Sequence, residues 1–145
     1  MLQEAIVEYV TDHFEGVNVV VATEGLPAGD TFFIYDPQRN LPPHRQLPFA
    51  TIVTKDYGEF DNTSNLDRDG VWRLNIGLSR DTFKQLFPEA TTEYDYTKLD
   101  TLMPHPVYAP QSFVCVLNPS ETTFEQLKPL LTEAYERAAA RRTPA

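Results

Sequence analysis

Four short runs rich in β-branched and aromatic residues follow one another without a helix between them: VNVVVA at 17–22, DTFFIYD at 30–36, FATIVTK at 49–55 and GVWRLNIG at 70–77. Parallel neighbours in one sheet need long crossovers, usually helical, so strands in direct succession pair antiparallel. This succession constrains the fold more than any other feature of the chain. The connections agree with it. Glycine and proline mark the first, PQRNLPPHRQLP at 37–48 carries four prolines and excludes regular structure, and KDYGEFDNTSNLDRDG at 55–70 is a long acidic loop.

Helices are expected at both ends. Leu2, Ala5, Ile6, Tyr9, Val10 and Phe14 recur at helical spacing, with Gly16 placed for a left-handed end. Phe124, Leu127, Leu131, Ala134 or Tyr135, and Ala138 form a second stripe, and Thr123 with Gln126 offers a capping box at its start. Ser79 is placed to cap a short helix limited by Pro88, and Thr97 with Asp100 suggests one more helical turn. SFVCVL at 112–117 is apolar after its first residue and predicts a buried strand. The pattern is α+β: an antiparallel sheet of about five strands with the N-terminal and C-terminal helices packed on one face. Residues 1–142 are expected to form a single domain and 143–145 a loose C-terminal tail.

The chain carries two resemblances. GVWRLNIGLSRDTF, LMPHPVYAPQSFVCVLNPS and the helix ending LLTEAY look like an uncharacterised bacterial single-domain family of the domain of unknown function 6194 type. FVCVLNPSETTFEQLKPLLTEAY is distantly similar to the MmcQ/YjbR proteins. That likeness implies a curved antiparallel sheet with a C-terminal helix, and DNA binding by analogy.

Charge and composition narrow the function classes. A formal charge of −9 opposes binding to a phosphate backbone, and the only dense basic cluster is Arg137, Arg141 and Arg142. One cysteine allows no intrachain disulfide. The first residues lack the pattern of a signal peptide, and no apolar run approaches a membrane span, so a soluble cytoplasmic protein is expected, a monomer or small homo-oligomer.

No cofactor or catalytic signature is present in the sequence. NLDRDG at 65–70 matches the front of a calcium loop, but the bidentate glutamate position falls on Ile76, so a solvated acidic turn is expected. Cys115 between Val114 and Val116 reads as a small buried hydrophobe. His13, His44 and His105 have no paired metal spacing, and no metal is expected.

The sharpest site candidate is a polar pocket. Alternation along 71–76 puts Trp72, Leu74 and Ile76 on a core face and Val71, Arg73 and Asn75 on a partly wet one. His105 and Tyr108 lie in a proline-rich loop just before the last strand, so Arg73, Asn75, His105 and Tyr108 converge if the two strands are neighbours. The competing expectation is a surface ion pair for Arg73 and a Tyr108 packed under its loop. The leading functional reading is a non-enzymatic module that binds a protein or small-molecule partner. The alternatives are a small-molecule-binding protein or enzyme using those four residues, and nucleic-acid binding by fold analogy.

Overall fold

A computed structural model describes residues 1–89 and 93–142, the side chain of Arg142 excepted, so the expected tail at 143–145 lies outside the described residues. The elements are α1 (Gln3–His13), β1 (Val17–Val21), β2 (Thr31–Tyr35), β3 (Ala50–Val53), β4 (Arg73–Gly77), α2 (Arg80–Leu86), β5 (Met103–Pro104), β6 (Phe113–Leu117) and α3 (Glu121–Arg142). The strands form one curved sheet of order β1-β2-β3-β4-β6-β5 in which every neighbouring pair is antiparallel. The fold is α+β, with six strands where about five are expected.

The extra strand is β5, a two-residue edge strand pairing Met103 with Cys115 and Pro104 with Val114. Two residues give no periodicity to read, and proline is tolerated there because an edge strand can dispense with a donor. The turn expected from Thr97 and Asp100 is not helical. Asp100 takes a left-handed φ of 54° and its Oδ1 accepts from Ser120 N at 2.8 Å, while Leu99 bridges Leu117. The start of α3 also shifts: Ser120 Oγ accepts from Thr123 N at 3.1 Å, so the cap lies three residues before the expected box. Ser79 caps α2 as expected, accepting from Thr82 N at 3.1 Å.

One face of the sheet meets α1 and α3. Phe33, Ala50, Ile52, Leu74, Ile76, Val114 and Val116 pack against Ile6 and Val10 of α1 and Phe124, Leu127, Leu131 and Ala134 of α3. Each fully buried leucine or isoleucine contributes roughly 1.5–3 kcal/mol, so this layer dominates the stability. α1 starts at Gln3 with no side-chain cap on Leu2, and its apolar stripe therefore holds it in place. Gly16, at φ 80°, turns the chain from α1 into β1, and a Cβ there would lie 3.0 Å from both Pro37 and Tyr35.

The opposite face carries Phe32, Thr51, Val53, Arg73, Asn75, Phe113, Cys115 and Leu117, and chain segments cover part of it. Val53, Leu66, Met103, Cys115 and Leu117 form a second apolar cluster flanked by Tyr57, Val71, Tyr94 and Tyr96. The acidic loop is tied down at its start by Asp30, fully buried, whose carboxylate accepts from Thr54 N at 2.8 Å, Thr54 Oγ1 at 2.9 Å and the Tyr57 hydroxyl. Among the described residues no helix is long and apolar enough to cross a membrane.

Candidate functional site

β4 and β6 are neighbours, in a register that sets Asn75 opposite Cys115 and Arg73 opposite Leu117. Period-two alternation therefore points Arg73 and Asn75 to the face away from the helices, beside β5 and the loop that follows it. His105 comes directly after β5, its own N–H paired with Phe113 O at 2.9 Å, which fixes its ring next to Arg73.

The expected wet face is buried. Arg73 is 1% exposed, Asn75 4% and His105 2%. The acidic loop accounts for this: it folds over β4 and delivers Asp61 and Ser64 to the guanidinium. Arg73 Nη1 donates to Asp61 Oδ1 at 3.1 Å and Ser64 Oγ at 2.9 Å, Nη2 to Asp61 Oδ2 at 2.5 Å, and Nε to Asn75 Oδ1 at 2.8 Å. The ion pair is thus bidentate and buried, in place of the surface pair the sequence suggests. Asn75 Nδ2 continues the network to Thr51 Oγ1 at 2.9 Å.

His105 Nδ1 accepts from Val107 N at 3.0 Å and Tyr108 N at 2.9 Å, closing the turn that leads into β6. Its Nε2 lies 3.2 Å from Arg73 Nη2. Burial, reinforced by the Arg73 charge, pushes the His105 pKa down to about 3, so the ring is neutral at neutral pH. Tyr108 stands over that ring with centroids 5.1 Å apart, and at 42% exposure it is not packed under the loop.

All four expected site residues line one cavity of about 560 Å³. Asp61, Arg73, Asn75 and His105 supply its polar floor, and Phe32, Phe49, Val53, Phe60 and Phe113 its apolar walls. Leu47, Phe60 and Tyr108 are large apolar side chains left 64%, 62% and 42% exposed around it. Arg137 and Arg141 of α3 reach the same cavity, and Arg137 Nη1 donates to Leu78 O at 2.8 Å. Gly77 leaves room for the Phe113 ring, because a Cβ would sit 2.9 Å from it. Gly77→Ala is therefore expected to displace Phe113 and cost about 1–3 kcal/mol, read from the shift in urea midpoint.

Sequence reasoning missed Asp61, Ser64, Thr51 and Phe60. The only available signal was indirect: an arginine on a strand that becomes buried requires a carboxylate, and the acidic loop is the nearest supply.

The other candidates lie elsewhere. His44 is exposed and lines an adjoining cavity of about 240 Å³ with Tyr35, Arg45 and Ala138, which shares Leu47, Pro48 and Arg141 with the larger one. His13 is exposed, its Nδ1 donating to Tyr9 O at 2.9 Å. No group of three or more histidine, cysteine, aspartate or glutamate side chains suited to a metal ion occurs among the described residues. In the stretch resembling a calcium loop, Asp67 Oδ1 accepts from Asp56 N at 3.1 Å. Cys115 is 1% exposed, its Sγ donates to Pro104 O at 3.7 Å, and burial pushes its thiol up to about 12, which leaves negligible thiolate.

No curated protein and no solved structure matches this chain. A family model does match, over residues 1–144, and the chain belongs to that family, DUF6194, a family of unknown function.

Proposed function

We propose that the protein is a binding module for a small molecule held in the cavity between the sheet's second face, the acidic loop and the turn after β5. One observation carries the reading. A volume of about 560 Å³ has a few convergent, buried polar groups at its floor and exposed aromatic side chains at its mouth. Ligand sites have this size and this division between apolar walls and placed polar groups. The network at the floor is fixed by mutual hydrogen bonds, so it presents a rigid surface that loses little freedom on binding. The buried free thiol of Cys115 fits a reducing, cytoplasmic setting. The net charge of −9 continues to weigh against nucleic acid.

The test uses N-phenyl-1-naphthylamine, an uncharged dye that brightens in apolar surroundings. The wild-type protein is expected to bind it saturably at one site. The double variant Phe60→Ser/Tyr108→Ser, altered only at exposed positions, should bind about fivefold or more weakly with its circular dichroism unchanged, since two aromatic contacts are removed. Signal that never saturates, or equal binding by the double variant, would rule the cavity out as the site.

A further inference from the structure

At the floor of the cavity His105 Nε2 lies 3.2 Å from Arg73 Nη2, and the hydrogen bonds around the two side chains make both nitrogens donors. His105 Nδ1 accepts from two backbone donors, Val107 N and Tyr108 N, neither of which can turn away. A ring nitrogen that accepts carries a lone pair and no proton, so the single proton of the neutral imidazole sits on Nε2. That nitrogen looks onto Arg73 Nη2 at 3.2 Å, and a guanidinium nitrogen has no lone pair to offer. The other four N–H groups of Arg73 are directed to Asn75, Ser64 and the two oxygens of Asp61. The fifth is left opposite the His105 proton, in a place where both side chains are almost wholly buried and both line the cavity. Buried donors in native proteins find acceptors.

We propose that the cavity floor is a binding site for a carbonyl group, in which one uncharged ligand oxygen accepts at once from His105 Nε2–H and from the fifth N–H of Arg73. This rests on the small-molecule reading above and names the chemistry of its ligand. Charge decides between a carbonyl and a carboxylate. Asp61 already holds two contacts with Arg73 and opposes its charge, and His105 is neutral, while Arg137 and Arg141 line the same cavity from α3, so an anion would be drawn toward those arginines and away from Asp61 at the floor. A carbonyl oxygen has the two lone pairs required and brings no charge. Phe32, Phe60, Tyr108 and Phe113 suit a flat aromatic body, and the ligand class is therefore aromatic amides, lactams and ketones.

Three matched probes test this by displacing N-phenyl-1-naphthylamine: 1-naphthamide, 1-naphthoate and 1-methylnaphthalene. Naphthamide is expected to displace the dye at concentrations about tenfold or more below the other two. His105→Asn should remove that advantage, read as the ratio of naphthamide to 1-methylnaphthalene displacement so that any change in dye affinity cancels, because the asparagine oxygen can still cap the N–H groups two and three residues on but cannot reach the floor. Nitrogen-15 spectra of the imidazole provide a readout independent of the dye. The free protein should keep its proton on Nε2 from about pH 5 to pH 8, and naphthamide should shift that resonance. A proton on Nδ1, an advantage for naphthoate, or an Nε2 resonance indifferent to naphthamide overturns the carbonyl site. Dye binding without a naphthamide preference overturns it too, while leaving the cavity reading intact. A dye that does not bind at all counts against the cavity reading instead, and the imidazole spectra then decide the floor.

Discussion

Asp61→Ala should lower the unfolding free energy by about 3–5 kcal/mol, the range for stripping a buried ion of its counter-charge. Arg73 is 1% exposed and Asp61 8%, and their contacts run through both guanidinium amino groups. Removing the carboxylate leaves a cation that neither Ser64 nor Asn75 can neutralise, since each offers only a neutral oxygen. The attraction gained by a buried pair roughly offsets the cost of taking both ions out of water, so replacing both partners behaves differently. Arg73→Met/Asp61→Leu should therefore be more stable than Asp61→Ala by about 2 kcal/mol or more, even though Ser64 and Asn75 lose a donor. Urea unfolding of the three proteins reads both numbers, with an unchanged m-value indicating that only stability moved. A cost below about 1 kcal/mol for Asp61→Ala is what an exposed pair gives, and it would mean that the acidic loop does not close over β4 in solution.

The partners in that pair differ in how far they could be read from sequence. Arg73 and Asn75 fall on one face by simple alternation, and the pairing of β4 with β6 then places them beside His105. The same alternation made that face look wet, because an arginine and an asparagine in a strand resemble surface residues. Burial came from the long acidic loop, and nothing local in KDYGEFDNTSNLDRDG separates Asp61 from Asp56, Asp67 or Asp69. Only the closed fold makes that choice, putting Asp61 on the guanidinium while Asp56 and Asp67 tie the loop together, Asp56 Oδ1 accepting from Leu66 N at 2.8 Å. The helices were legible because a stripe of Ile6 and Val10, or of Leu127 and Leu131, repeats many times in one element. β5 was not, since two residues ending in proline carry no period.

The neutral His105 ring should make stability fall steeply on mild acidification. An unfolded histidine takes up a proton near its ordinary pKa of 6.5, whereas the folded one stays neutral down to about 3. Between those values the unfolded chain binds the extra proton, so the stability is complete above the upper value and drains away as the pH falls toward the lower one. The slope is about 1.4 kcal/mol per pH unit and the full loss roughly 5 kcal/mol. Burial is the main cause, Arg73 adds to it, and Asp61 acts in the opposite direction. The effect has a window of its own. Asp95 and Asp100, whose hydrogen bonds from Thr97 and Ser120 hold their carboxyls below the usual range, weaken the fold only at lower pH. His105→Asn removes the titrating group and keeps the turn cap, so its stability should be nearly flat from about pH 6.5 to pH 5, where the wild type loses about 2 kcal/mol. Urea midpoints taken across that interval separate the two proteins. Parallel profiles would mean that His105 is reached by water and charges freely, with Nδ1 protonated and no longer able to accept from Val107 N and Tyr108 N.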